Sequence, residues 1–182
     1  MATSKTGSFW LTEEVSLAAV ATLYQGTIDL GAYVDVGDQQ AIAIEQVDFI
    51  TQGYDTSSNH YNNTVVGAVT ANAALSFQLS DLNPGTELIS ADSNSLIASG
   101  SLMVDQTNFV ESSAADFFPD NFGKLSESRM VVNDQLYFVG LASSTYAANH
   151  ELRVTVRIKA RIVKLSTKDW IAIAVQSTAA DN

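Results

Sequence analysis

The side chains that most often carry acid-base or nucleophilic chemistry are scarce in this chain. Histidine occurs only at His60 and His150, and cysteine does not occur. Without cysteine there is no thiolate nucleophile, no disulfide and no cysteine-ligated zinc. The sequence also lacks a G-x-S-x-G elbow, a Walker loop, an H-E-x-x-H motif and a Rossmann glycine motif. We therefore expect no enzyme activity and no cofactor, and we place both histidines at surface or turn positions.

Carboxylates are numerous, and they leave two kinds of site open. A carboxylate pair for glycoside hydrolysis comes together only in the fold, and the sequence indicates no particular pair. Asp81, Asn83 and Glu87 offer oxygens to calcium within one segment, but their spacing does not match the calcium loop of an EF-hand. We expect an ordinary turn there and no metal site.

Charge is distributed unevenly along the chain. Twenty acidic and nine basic residues give a net charge of −11. Residues 1–152 hold eighteen of the acidic residues and three basic ones, whereas residues 153–168 hold the other six cations. A net negative charge favours solubility and disfavours binding of nucleic acid over the whole surface.

Four cations alternate with apolar residues in one segment, namely Arg153, Arg157, Lys159 and Arg161. In a strand they share one face, where they repel one another unless an anion lies opposite. Three anionic partners are open: carboxylates of a neighbouring strand or subunit, packaged nucleic acid, and lipid headgroups. The carboxylates are the favoured partner.

Aromatic side chains offer another possible site. They are Phe9, Trp10, Phe117, Phe118, Phe122, Tyr137 and Phe138. Such residues can build a platform on which sugars stack, but packing in a core or an interface is the favoured interpretation because aromatics dominate both.

The elements that must position these residues are strands. Apolar residues recur at every second position in short segments that end at Gly, Asn, Asp or Ser. The predicted strands are Glu14–Leu23, Gly26–Val36, Ala41–Thr51, Thr64–Ala68, Ala73–Ser80, Leu96–Asp105, Met130–Val132, Gln135–Leu141, Glu151–Leu165 and Asp169–Gln176, with a short edge piece at Leu88–Ser90. No segment has the period of an amphipathic helix, although Ser112–Asp120 is open to a short helix or an irregular excursion. We predict an all-β, two-sheet β-sandwich with about eight to ten strands.

Four local features sharpen this prediction. A change of phase near Glu45-Gln46 predicts a β-bulge. Asn133-Asp134 predicts a tight hairpin between the strands that flank it. Residues 169–176 are apolar on both faces, which predicts a strand buried on both sides. The polar run Gly53–Asn63 predicts an exposed loop.

The length of 182 residues suits one sandwich domain. We expect an N-terminal arm over residues 1–12, a single jelly-roll domain over 13–178 and a C-terminal tail over 179–182. The start of the chain has no apolar run of the length a signal peptide needs, and no stretch is long enough for a transmembrane helix.

Segments near both ends carry a resemblance to a known family. They are the polar start at 1–8 leading into Phe9-Trp10-Leu11, the run 30–38, and the closing runs Arg153–Ile158 and Lys168–Ile171. In these the chain resembles the single jelly-roll capsid proteins of tailless icosahedral viruses that contain a membrane and infect archaea or bacteria. The resemblance implies a jelly roll standing upright in the shell, pseudo-hexameric capsomers, and no catalytic residues. It also implies that a second capsid protein can accompany the chain.

Two functions are therefore carried forward. The first is a viral capsid subunit that assembles with copies of itself, and possibly with a second capsid protein, in the virion. The basic strand would then contact protein carboxylates, a lipid membrane or packaged nucleic acid. The alternative is a carbohydrate-binding or adhesive β-sandwich module that uses exposed aromatics and loop carboxylates.

Overall fold

The computed structural model describes residues 2–85, 87–113 and 128–178. The strands are β1 Thr3–Ser4, β2 Phe9–Leu17, β3 Tyr24–Asp29, β4 Gln40–Asp55, β5 His60–Asn62, β6 Ala73–Ser80, β7 Leu96–Asp105, β8 Val110–Ser113, β9 Arg129–Val131, β10 Gln135–Ala142 and β11 His150–Lys164. A 3-10 turn covers Val66–Ala68, and helix α1 covers Thr167–Thr178.

Eight of these strands form two antiparallel sheets. In sheet A the order is β2-β11-β4-β9, and in sheet B it is β3-β10-β6-β7. The short strands β1, β5 and β8 pair with β11, β4 and β7. Consecutive members of the eight cross from one sheet to the other, except at β6–β7. This is the order of a jelly roll, so the predicted all-β sandwich and its preferred topology are confirmed.

The connections lie at two ends of the sandwich. At the first end are the connections β2–β3, β4–β6 and β10–β11 and the turn between β7 and β8, and at the second end are β3–β4, β6–β7 and β9–β10. Helix α1 and the N-terminal residues also lie at the second end, because β1 pairs with the last residues of β11.

The core lies between the two sheets. On β11 the inward residues Leu152, Val154, Val156 and Ile158 are fully buried, as the alternation predicts. Burial of each such side chain stabilises the fold by about 1.5–3 kcal/mol. Phe49 of sheet A reaches across the core, with its ring centroid 5.0 Å from Phe77 and 5.9 Å from Phe138.

The predicted bulge is present in β4. Lys159 pairs with Gln46 and the next residue of β11 pairs with Ile44, so Glu45 is the extra residue. Its side chain is nearly buried, at the point where the strand changes phase.

The predicted strand Asp169–Gln176 is wrong, because these residues belong to helix α1. The run of alternating large and small apolar residues also fits helical spacing, with Trp170, Ile173 and Ala174 facing the outer side of sheet A. They cover a small second cluster there, made of Ala41, Ala43, Val132, Val163 and Leu165. The hydroxyl oxygen of Ser166 accepts the Asp169 N–H at 3.2 Å and so caps the first turn.

The predicted hairpin at Asn133-Asp134 is also wrong. The strands that flank it lie in different sheets, since β9 pairs with β4 whereas β10 pairs with β3 and β6. The Asn133 amide instead donates to the carbonyl of Asp81 at 2.6 Å and ties two connections of the second end together. Thr64–Ala68 contains the 3-10 turn rather than a strand, and the predicted loop Gly53–Asn63 supplies the end of β4 and all of β5.

The chain start takes part in sheet A. Strand β2 begins at Phe9, within the predicted arm 1–12, and Lys5 donates a backbone hydrogen bond to Ile162 at 2.8 Å. Most of the predicted excursion Ser112–Asp120 and all of the tail 179–182 lie outside the described residues.

Candidate assembly surfaces

The four cations singled out in the sequence lie on the outer face of sheet A, away from the core. Their neighbours across the sheet follow from strand register. Arg153 faces Ser16 and Gln52, Arg157 faces Thr12 and Asp48, and Lys159 faces Trp10 and Gln46.

Arg153 is neutralised within the chain. One terminal nitrogen lies 2.8 Å from the Glu14 carboxylate, and the other donates to Glu151 on its own strand. The guanidinium carbon stacks 4.2 Å above the ring of Tyr54. The hydroxyl of Tyr61 donates to Glu14 at 3.3 Å, and partial burial, followed by the charge of Glu14, raises the pKa of that phenol. These contacts fix the guanidinium to carboxylates and rings of its own sheet.

Arg161 is neutralised by the bulge. Its guanidinium forms an ion pair with Glu45, whose side chain is only 9% exposed. The hydroxyl of Ser8 donates to the second oxygen of the same carboxylate at 2.8 Å. The bulge residue Glu45 of β4 therefore places a nearly buried carboxylate next to Arg161 of β11. This ion pair cannot be predicted from the sequence of either strand alone.

Arg157 and Lys159 are the cations of this face that remain available. The Arg157 guanidinium carbon lies 4.7 Å above the ring of Trp10, which is 44% exposed. Among the described residues, neither cation forms an ion pair within the distance of a salt bridge. The two cations and Trp10 form an exposed strip that an anionic group can approach.

The outer face of sheet B is different in kind. Its outward residues on the three strands β6, β7 and β10 are Ala74, Ser76, Gln78, Ser80, Ser99, Ser101, Met103, Gln135, Tyr137, Val139 and Leu141. None of them carries a charge, and Asp29 and Asp105 lie only at the margins. We call this surface the neutral face. Gln78, Ser80, Ser99 and Val139 are buried within the chain, so the exposed part of the neutral face comprises the other seven side chains. The connection β6–β7, which crosses this sheet, carries the exposed Glu87.

A depression opens in the neutral face. Its volume is about 190 Å³, and it is lined by side chains of β6 and β7 and by Leu88 of the connection between them. That connection crosses the sheet because the side-chain amide of Gln78 exchanges two hydrogen bonds of 2.9 Å with the backbone of Ile89. The hydroxyl of Ser99 lines the depression and has no hydrogen-bond partner among the described residues.

The two histidines lie in one row at the first end. Strand register places Asp55 of β4 between His150 of β11 and His60 of β5. The Asp55 carboxylate accepts hydrogen bonds from Ser57 and Ser58, which hold its pKa well below the ordinary range. His150 contacts the Ala148 carbonyl at 2.8 Å through Nδ1. The carboxylate thus shapes the turn, and the described residues contain no group of three acidic or histidine side chains placed to hold a metal ion.

In the segment considered for calcium, Asp81 is buried, with 3% of its surface exposed. The Asp81 side chain turns inward towards Arg129, 3.5 Å away, and burial raises its pKa while Arg129 opposes the rise. The carboxamide of Asn83 accepts the backbone N–H of Gly85 at 2.9 Å, as in an ordinary turn.

The aromatic residues singled out in the sequence do not form one platform. Phe138 is fully buried, Phe9 packs on Tyr33 with centroids 5.3 Å apart, and the hydroxyl of Tyr137 donates to Gln135 at 2.7 Å. Trp10 lies on the outer face of sheet A, and Phe117, Phe118 and Phe122 fall outside the described residues. The sequence missed a more exposed ring, Phe109, at the turn between β7 and β8.

No protein-family model and no curated protein matches the chain. Among solved structures, it is similar to VP1 of Trichodysplasia spinulosa-associated polyomavirus in complex with sialylated glycooligomers, at 8% identity and a TM-score of 0.46, over 89% of this chain and 98% of that one. It is similar to the unassembled VP1 pentamer of KI polyomavirus at 8% identity and a TM-score of 0.46, over 87% of this chain and 95% of that one. It is also similar to a structure of Desmodium yellow mottle tymovirus, at 7% identity and a TM-score of 0.30, over 88% of this chain and 90% of that one.

None of the helices among the described residues is both long and apolar enough to cross a lipid bilayer.

Proposed function

We propose that this protein is a structural subunit of an icosahedral viral capsid, located in the virion, and that it works by assembly rather than by catalysis. Jelly rolls serve as capsid, lectin and cupin domains. The observation that carries the proposal is the neutral face, which spans three adjacent strands of sheet B in an otherwise acidic chain. A surface of this kind suits contact with another protein, because no charge has to lose its water when it is covered.

The charge of the chain restricts how copies can meet. Two molecules of net charge −11 repel each other unless the surfaces in contact are uncharged or opposite in sign. The neutral face meets the first condition. The strip of Trp10, Arg157 and Lys159 meets the second, because it can face carboxylates of a neighbouring copy. Many modest contacts of these two kinds sum to a stable shell.

The finer assignment is to the single jelly-roll capsid proteins of tailless, membrane-containing viruses of archaea or bacteria. Its support is the resemblance at both ends of the chain, whose segments fall in β1 and β2, in the connection β3–β4, in β11 and in helix α1. In that setting a second capsid protein is a further partner, and an upright sandwich would place its side faces against neighbours in the shell.

The basic face is assigned to protein carboxylates before nucleic acid or lipid headgroups. Two of its four cations, Arg153 and Arg161, already bind carboxylates of the same chain. Only Arg157 and Lys159 are left to attract a polyanion, and a two-cation contact gives nucleic acid little affinity at physiological salt.

A concentration series tests the capsid proposal. The purified protein is followed by analytical ultracentrifugation and by negative-stain microscopy up to millimolar concentration, with and without added salt. We expect concentration-dependent oligomers that progress to rings or closed particles. A protein that stays monomeric throughout, or that instead binds a defined sugar on a glycan array, contradicts the proposal and favours the carbohydrate-binding module.

A further inference from the structure

The turn between β7 and β8 presents a large apolar side chain to solvent. The Asp105 carboxylate accepts the backbone N–H groups of Thr107 at 3.0 Å and Asn108 at 3.1 Å. The next residue, Phe109, is 72% exposed and has a φ of 55°. Bulky residues seldom adopt this left-handed conformation, which Gly and Asn accept more easily. Phe109 is thus unfavourable both for its backbone and for its exposure, which points to a role outside the folding of the single chain.

The depression in the neutral face has the right size and chemistry to receive such a ring. Its volume is about 190 Å³, and every residue that lines it is uncharged. An apolar cavity of about 150 Å³ is large enough to bind benzene. Its rim includes Ala74 and Met103, and Met103 is 55% exposed. Phe109 of the same chain does not fill the depression, because most of its own surface is in contact with solvent.

We infer that Phe109 of one copy inserts into the neutral-face depression of a second copy. The inference rests on the proposed function and names the contact through which assembly begins. The occupant is a second copy, because the Phe109 ring and the lining of the depression are uncharged, so two chains of net charge −11 can meet there without burying like charges in the contact. Each copy carries both the ring and the depression, so the contact can repeat from copy to copy into rings or shells. In this contact the Ser99 hydroxyl, which has no hydrogen-bond partner among the described residues of its own chain, comes close to the polar groups of Thr107 and Asn108, the two residues before the inserted ring.

Cysteine cross-linking tests the contact directly, because the chain contains no cysteine of its own. Thr107→Cys marks the turn and Ala74→Cys marks the rim of the depression, and both variants keep Phe109. We expect oxidation of an equimolar mixture to give covalent dimers that contain one chain of each variant. Val36→Cys is the control for Thr107→Cys, since Val36 is 65% exposed in the connection β3–β4 at the opposite end. A mixture of Thr107→Cys with Ala74→Cys that cross-links no more than the control mixture overturns the inference.

A second pair of variants separates binding from folding. Phe109→Asn removes the ring and places a residue that accepts a positive φ, so we expect a higher melting temperature together with at least tenfold weaker association. Val36→Asn removes a similar exposed apolar surface, and we expect association to be unchanged. If Phe109→Asn associates like the wild type, the ring does not make the contact.

The two proposals fail in different ways. If wild-type protein assembles but the cross-link is absent and Phe109→Asn has no effect, then the capsid function stands and assembly uses another contact. If wild-type protein remains monomeric at every concentration, the capsid function itself is overturned.

Discussion

The two outer faces of the sandwich handle polar groups in opposite ways. On sheet A, strand β11 places cations on the outer face, and two of them form ion pairs with carboxylates of the neighbouring strands, Arg153 with Glu14 and Arg161 with Glu45. On sheet B, three adjacent strands present hydroxyls, amides and apolar side chains without charge. The first face pairs two of its four cations, Arg153 and Arg161, within the chain, whereas the outward side chains of β6, β7 and β10 carry no charge.

This difference separates stability from assembly. Ion pairs that are closed within a chain contribute to its own fold and leave little for a partner. An uncharged face contributes little specific energy to the single chain, but it can be covered at low desolvation cost. We therefore expect changes on sheet A to act mainly on unfolding and changes on sheet B to act mainly on association.

The largest effect is expected at the buried ion pair of sheet A. Arg161→Ala leaves the Glu45 carboxylate, with 9% of its side chain exposed, without its cation. Loss of one partner of a buried pair costs about 3–5 kcal/mol, and the 29% exposure of the Arg161 side chain points to the lower end, about 3 kcal/mol. Urea unfolding measures this loss.

Lys159→Ala is the matched control, because it removes a cation from the same strand and face. We expect a change within about 0.5 kcal/mol there, as for most surface positions. Replacing Glu45 by Leu in the Arg161→Ala variant should recover most of the loss, because no uncompensated carboxylate remains. Equal effects of Arg161→Ala and Lys159→Ala would show that the bulge does not close an energetically important pair.

The sequence predicted β4, β11 and the bulge, but it placed the first strand at Glu14–Leu23 instead of Phe9–Leu17, and it did not predict the pairing that the bulge creates. The alternation of Leu152 to Ile158 sets one face of β11, and the phase change at Glu45 is visible in β4 alone. Which strands become neighbours is decided by contacts between residues far apart in sequence, so Glu45 and Arg161 could not be paired from either segment. The same holds for the neutral face, whose Ser76 and Ser101 come together only through strand order.

Two of the errors, the strand Asp169–Gln176 and the hairpin at Asn133-Asp134, have local physical causes. Residues 170–175 are all apolar, so their pattern fits a buried strand as well as a helix; Trp170, Ile173 and Ala174 share one face only in the helix. The capping hydroxyl of Ser166, with Asp169 three residues later, was the feature that favoured the helix. Asn133-Asp134 is a suitable turn, but turn residues do not specify whether the strands they join pair with each other or enter different sheets.

The next effect is expected from one added charge on either face. Ser101→Glu places a carboxylate in the neutral face, where association would have to bury it. We expect association to weaken by at least roughly tenfold, which is about 1.4 kcal/mol of binding free energy. Thr12→Glu adds the same charge on sheet A opposite Arg157, where a cross-strand pair of opposite charge stabilises by about 0.2–1 kcal/mol. Sedimentation velocity and urea unfolding of both variants measure the two effects. Equal loss of association in both variants would mean that added negative charge, and not its position, controls assembly.

The smallest effect concerns two carboxylates whose surroundings differ as the faces do. Burial raises the pKa of Asp81 above its ordinary 3.8 although Arg129 opposes the rise, whereas hydrogen bonds from Asn108 lower the pKa of Asp105 at the β7–β8 turn. The folded chain therefore holds the Asp81 proton more tightly than the unfolded chain, and the stability from this group falls as pH rises from 3.8 through the raised pKa. For Asp105 the sign is opposite, so its contribution to stability is present above pH 3.8 and is lost as pH falls through the lowered pKa.

Carboxyl-carbon NMR titration should place the pKa values of the two groups on opposite sides of 3.8. Asn108→Ala should move the pKa of Asp105 back towards 3.8 and leave the pKa of Asp81 unchanged. An Asp105 that titrates normally in the wild type would mean that its hydrogen bonds do not hold the turn, and with it the position of Phe109.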